Sequence, residues 1–182
     1  DITEAAASAG AIMDLKPYLD ADADLKAGVG ICYDQNLTED GKIYSVREQV
    51  EGVGFWYNQA LFEQAGATTP NQWTSWKDFD VAVDKLVEAG ISPYSLNAGW
   101  PTNILAAGYA QRDEASREFY ANGKNVESFN DESFLGTMAF LQDNVLAKID
   151  AAHFGPGGDD DNQYMDDFTS GDSAMLFNGV WA

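Results

Sequence analysis

Residues 50–66, VEGVGFWYNQALFEQAG, constrain the fold more than any other stretch of this chain. The β-branched and aromatic side chains between Val50 and Tyr57 suit a buried strand, and Gly52 and Gly54 leave that strand able to bend. Asn58 stands where its side chain can cap the free N–H groups of a helix, and Gly66 stops that helix. A strand that runs straight into a helix opens an α/β unit.

The alternation continues. Ser75 and Asp78 have the spacing of a capping box, and Trp76, Phe79, Val83, Leu86 and Val87 recur at helical intervals up to Gly90. Ile91 to Leu96 reads as a short buried strand, so strand, helix, strand predicts parallel pairing. A further helix is expected from near Thr102, carrying Ile104, Leu105 and Tyr109. Another is expected after a cap at Asn130, with Phe134, Met138, Leu141 and Val145 as the stripe that packs on the sheet. Residues 155–161, GPGGDDD, cannot be regular structure. Tyr164, Met165 and Phe168 share a helical face that closes at Gly171, and Ala174 to Phe177 reads as a buried strand leading into Asn178–Ala182. Before Gly41 the pattern is weaker: the end of a helix at Ala5–Ala9, then mostly irregular surface with an exposed acidic turn at Asp20–Asp24. The fold class is α/β.

Composition narrows the function. The 182 residues are 45% hydrophobic and 13% aromatic, too apolar for a disordered segment. Ten Lys and Arg stand against 30 Asp and Glu, a formal charge of -20. No basic stripe exists to neutralise phosphates, so nucleic acid and anionic membrane surfaces are poor partners, and the acid reads as solubility. The single Cys32 cannot form an internal disulfide, which fits a reducing or an oxidising compartment. No run reaches the roughly 18 apolar residues of a membrane helix, so a soluble chain without a signal segment or membrane insertion is expected.

Most catalytic constellations lack their parts. His153 has no cysteine or second histidine near it in sequence, so neither a zinc site nor a Ser-His-Asp triad is expected. Asp159, Asp160 and Asp161, with Asp166 and Asp167, lack calcium-loop spacing and read as a solvated acidic face. No phosphate loop, dinucleotide fingerprint or nucleophile elbow occurs, and no cofactor or metal is expected. Trp56 and Trp76 read as core. By contrast Glu51, Asn97, Trp100 and Trp181 fall at or beside strand ends, where open α/β sheets hold ligands. Sugars suit such groups: their apolar ring faces stack on tryptophan, and their hydroxyls pair with carboxylates and amides.

Three passages in order, GKIYSV…GFWYNQALFEQAG, TTPNQWTSWKDF and YMDDFTSGDSAMLFNGVWA, resemble the sugar-binding solute receptors related to maltose-binding protein. The resemblance implies part of a two-lobed periplasmic-binding-protein type II fold, mostly the second lobe with a piece of the first. Residues 1–50 would belong to the first lobe, 51–54 to the crossing between lobes, and 55–182 to most of the second. By position Glu51 resembles an acidic ligand contact before the crossing, and Trp181 resembles the stacking tryptophan of the Asn-Gly-x-Trp-Ala motif. Asn97 and Trp100 correspond less closely, because their loop looks shorter than in maltose-binding protein. Arg47 can hydrogen-bond a sugar or simply pair with Glu48.

The function this implies is the non-enzymatic, substrate-binding component of an ABC importer. It captures a mono- or oligosaccharide between lobes and delivers it to a membrane permease, and the implied location is extracytoplasmic, periplasmic or lipid-anchored at the cell surface. Two other readings stay open on sequence. A glycoside hydrolase also combines aromatics with carboxylates. Alternatively these residues alone form a half-site with no binding activity.

Overall fold

The computed structural model describes residues 2–46, 51–121, 128–157 and 162–181. The chain divides into two compact units, residues 1–51 and 52–182.

The first unit is more helical than its sequence pattern suggests. After α1 (Ile2–Ser8) come α2 (Lys16–Ala21), α3 (Ala23–Val29) and α4 (Cys32–Gln35), where irregular surface was expected. Asp22 explains the difference: it ends α2, and its side chain accepts from the N–H groups of Asp24 and Leu25, so the acidic turn is a helix-to-helix cap. Among the described residues of this unit, Leu19, Cys32 and Ile43 are the buried apolar side chains. Ile43 is held by Asp14, whose Oδ1 accepts from the Ile43 N–H at 3.1 Å, while the Ile43 carbonyl accepts from Leu15 N–H at 2.6 Å.

In the second unit β1 (Val53–Tyr57) pairs antiparallel with β4 (Met175–Gly179), Phe55 opposite Phe177 and Val53 opposite Gly179. A parallel bridge joins Met175 to Tyr94, and β2 (Leu96–Asn97) pairs parallel with β3 (Phe154–Gly155). The expected strand 91–96 is therefore shortened to its end. Pro93 supplies no N–H and interrupts the ladder.

Asn58 caps α5 (Gln59–Ala65) through the N–H groups of Ala60 and Leu61, and the helix closes at left-handed Gly66. At the head of α6 (Trp76–Glu88) Asp78 Oδ2 accepts from Thr74 N–H at 2.8 Å and Ser75 N–H at 3.0 Å, completing the capping box. The Thr74 donors in particular hold this carboxyl below the usual aspartate range. Phe79, Ala82, Val83 and Leu86 of α6 are fully buried against Tyr94, Leu96, Leu105, Phe140 and Met175. Phe140 stacks on Tyr109 with centroids 3.8 Å apart, and Trp76 meets both rings edge-on.

Four expectations need correction here. α7 spans Trp100–Tyr109, two residues ahead of Thr102, because Pro101 is well placed in a first turn. α8 (Glu114–Ala121) follows, and α9 (Glu132–Ala139) is capped by Asp131 rather than Asn130. The buried face of α9 is Ser133 and Thr137, while Met138 is exposed. The cause is Arg112, whose guanidinium donates to Thr137 Oγ1 at 2.9 Å and to the Ser133 carbonyl at 3.1 Å. After Ala139 the helix widens into a π-turn, Phe140–Val145, whose carbonyls at Asn144 and Val145 both accept from the buried Tyr94 hydroxyl. Burial, with Asp80 and Asp84 nearby, pushes that phenol well above its ordinary range. Finally, Trp56 is not core: it points out from β1, 43% exposed, whereas Trp76 is partly buried in the aromatic cluster. α10 (Gln163–Ser170) ends at Gly171 and leads into β4.

Candidate functional site

β2, β3 and β4 run the same way, so their carboxyl ends share one edge of the second unit. Asn97, the last residue of β2, is buried. Its Oδ1 accepts from Gly99 N–H at 3.0 Å, and its carbonyl accepts from the Thr102 hydroxyl at 2.6 Å. These bonds fold the chain sharply into α7 and place Trp100 at the helix start, 38% exposed.

Trp181 arrives from the other side, two residues beyond β4 and 53% exposed. Its turn is tied back by the Val180 N–H, which donates to the Gly52 carbonyl at 3.1 Å. The Trp100 and Trp181 rings meet edge to face, centroids 5.5 Å apart and planes at 64°. Aromatic pairs favour this geometry, and here it leaves indole surface facing solvent.

Two glycines, read in the sequence only as part of an irregular loop and of the Asn-Gly-x-Trp-Ala motif, make this arrangement possible. Gly179 lies directly under the Trp181 ring, where any Cβ would collide with it. Gly157 has φ +81°, and a Cβ there would stand 2.8 Å from the Gly99 nitrogen. The backbones of 98–99 and 157 thus pack with no side chain between them, a close approach only glycine permits.

Of the sequence candidates, Asn97, Trp100 and Trp181 are brought to this edge. Glu51 is an exposed residue of the first unit. Arg47 lies outside the described residues, as do Asp159, Asp160 and Asp161. His153 is not isolated. Its Nδ1 is 2.8 Å from Asp167 Oδ2, which also accepts from the Ser95 hydroxyl at 2.7 Å. A Ser, a His and an Asp therefore meet. The carboxylate, however, sits between the hydroxyl and the ring, so the imidazole is not the base of a serine nucleophile. The nearby residues give no sequence signal for this cluster, because Ser95, His153 and Asp167 are far apart in the chain.

A separate concavity of about 480 Å³ opens beside Trp76, at the far end of α7 from Trp100, and is lined by Phe55, Trp73, Phe79, Gln111 and Arg112. Its Trp73 indole N–H donates to the Thr68 carbonyl, and Arg112 is held by Ser133 and Thr137. Among the described residues no set of three or more His, Cys, Asp or Glu side chains is grouped to hold a metal. Nor is any described helix long and apolar enough to cross a membrane.

A sequence model for the family described as "Bacterial extracellular solute-binding protein" matches residues 1–182, the whole chain. The chain belongs to that family. Among solved structures it is similar to a Streptococcus pneumoniae solute-binding protein in complex with the blood group A-trisaccharide, at 36% identity and TM-score 0.76, over 98% of this chain and 44% of that one. It is similar to a chitin oligosaccharide binding protein at 27% identity and TM-score 0.69, over 99% of this chain and 44% of that one. A probable secreted solute-binding lipoprotein from Streptomyces coelicolor shares the fold at 22% identity and TM-score 0.69, over 100% of this chain and 45% of that one. Comparison with curated proteins gave no match. The chain thus spans less than half the length of these related structures, and it is part of a two-lobed α/β solute-binding fold.

Proposed function

We propose that the intact protein is the carbohydrate-capturing component of an ABC importer, binding a mono- or oligosaccharide between its lobes and passing it to a membrane permease outside the cytoplasm. The observation that carries this reading is the exposed Trp100–Trp181 pair beside Asn97 at the carboxyl edge of the sheet. Two tilted indole faces present apolar surface to sugar C–H groups, while backbone and amide groups next to them supply hydrogen bonds. The blood group A-trisaccharide bound in one similar structure, and the naming of another as a chitin oligosaccharide binding protein, support the same class of ligand.

In this reading residues 1–50 belong to one lobe and 55–182 to the other, with 51–54 as the crossing. Arg47 in the first lobe and Glu51 at the start of the crossing contribute polar contacts, and the second lobe contributes the Trp100 and Trp181 stacking faces with Asn97. The protein has no catalytic role and resides in the periplasm or anchored at the cell surface.

Titrating the intrinsic tryptophan fluorescence of the intact protein with blood-group, chitin-derived and malto-oligosaccharides tests this. A saturable change that disappears in Trp181→Ala and weakens in Glu51→Ala is expected. A saturable change equally strong in both variants would place the ligand elsewhere.

A further inference from the structure

We propose that the hydrogen-bond node of Ser95, His153 and Asp167 is the positioning device that sets Trp100 against Trp181, a proposal that rests on the carbohydrate-capture reading. Asp167 Oδ2 is 2.7 Å from Ser95 Oγ and 2.8 Å from His153 Nδ1. A carboxylate oxygen only accepts, so both partners donate and the imidazole carries a proton on Nδ1. The Ser95 hydroxyl also lies 2.9 Å from the His153 carbonyl. Three elements therefore meet at one oxygen: Ser95 immediately precedes β2, His153 immediately precedes β3, and Asp167 belongs to α10.

This joint matters because the ladder it supports is so short. β2 and β3 pair through Leu96–Phe154 and Asn97–Gly155, extended by the Ala98 N–H to the Gly155 carbonyl at 3.0 Å. Such a ladder is well under the usual strand length of about 5–6 residues and holds its register weakly alone. Ser95 is 1% exposed, and the side chains of His153 and Asp167 are 23% and 14% exposed. Charge-assisted bonds in so sheltered a place are stronger than their surface counterparts.

The leverage on the site is through connectivity. Ser95 lies two residues before Asn97 and five before Trp100, and the bonds from Asn97 to Gly99 and Thr102 transmit its position to the start of α7. Asp167 lies on the helix that turns at Gly171 into β4, whose end carries Trp181. The node thus ties the segment that leads to Trp100 to the helix that precedes β4, and so sets Trp100 against a Trp181 anchored by β4. On the β4 side the ties at Ser92–Ala174 and Tyr94–Met175, the β1–β4 ladder and the Val180–Gly52 bond all follow Asp167 and place Trp181, so the node acts on the Trp100 side of the pair. Ser95, His153 and Asp167 are positioning residues with no proposed ligand contact.

The experiment uses the intact protein with Asp167→Ala, Ser95→Ala and Asp167→Asn, the last keeping an acceptor oxygen. Two tryptophans this close give an exciton couplet in circular dichroism, isolated as the difference from Trp181→Phe. In native buffer Asp167→Ala is expected to lose most of that couplet and to bind about tenfold more weakly whichever of the blood-group, chitin-derived or malto-oligosaccharides the unmodified protein binds, as loss of a hydrogen bond's worth of positioning implies. Asp167→Asn should retain the couplet. A couplet intact in folded Asp167→Ala and Ser95→Ala, with only the urea midpoint lowered, would overturn the proposal, since a purely supporting role predicts that pattern. Should Asp167→Ala fail to fold, Ser95→Ala, which removes a single hydroxyl, decides the point by the same couplet. If the unmodified protein binds no sugar, the carbohydrate reading fails, and the couplet still decides whether the node positions the rings.

Discussion

The Trp181 ring rests on Gly179, in the space a β-carbon at that position would fill. The strand residue and the aromatic two places after it are therefore a single structural device. Gly179→Ala should expel the ring and break its edge-to-face contact with Trp100 while leaving the buried strand intact. The expected result is a loss of the Trp-pair dichroism and about tenfold weaker sugar binding, with a urea midpoint close to that of the parent.

Gly157 is the matching device on the opposite loop. At φ +81°, with the Gly99 nitrogen 2.8 Å from where its Cβ would sit, Gly157→Ala meets both a conformational and a steric penalty. The conformational part alone is about 1–2 kcal/mol. Urea unfolding should show at least that loss, and backbone amide shifts in NMR should move at Ala98 and Gly99.

Tyr94 tests why the π-turn persists. Its hydroxyl serves the Asn144 and Val145 carbonyls from within the core, so Tyr94→Phe leaves them short of a donor. A loss of about 1–3 kcal/mol is expected by urea unfolding. An unchanged midpoint would mean the π-turn is held by packing alone.

How much of this could be read in the sequence depended on whether the cause was local. Asn58, Gly66, Ser75 and Asp78 act on backbone within a few residues, and the helices they cap were legible. The face of α9 was not, because the partner that buries Ser133 and Thr137 is Arg112, more than twenty residues away. A pattern that counts only apolar side chains assigns such a face to solvent. Trp56 misled for the related reason that strand alternation was outweighed by residue type: its neighbours Phe55 and Tyr57 point toward the core cluster, so it must point away. Strand-end logic named Glu51, Asn97, Trp100 and Trp181, and the last three lie together at the carboxyl edge of β2 and β4. The close approaches that Gly157 and Gly179 permit were not legible until the backbone was seen, and neither was the meeting of Ser95, His153 and Asp167.

In the first unit Asp20 predicts an acid response. Its carboxyl accepts from Lys16, Lys26 and the Tyr33 hydroxyl, of which Lys16 contributes most, and these hold it well below the ordinary aspartate range of about 3.8. A group lowered in the folded state stabilises fully above its unfolded pKa and loses that contribution as pH falls through the folded value. Carbon-detected NMR should find the Asp20 carboxylate still ionised when other exposed aspartates have titrated. Asp20→Asn should flatten the stability profile below about pH 4, and the effect should shrink in high salt because the cluster is exposed.

Calorimetric titration of the intact protein with an oligosaccharide panel, repeated on Trp100→Ala and Trp181→Ala, tests carbohydrate capture most directly. Saturable binding of at least one oligosaccharide is expected, weakened roughly tenfold or more in each variant, with unfolding midpoints nearly unchanged. An intact protein that binds no sugar in the panel, or binds one equally well without either indole, would contradict the assignment of this edge as the sugar site.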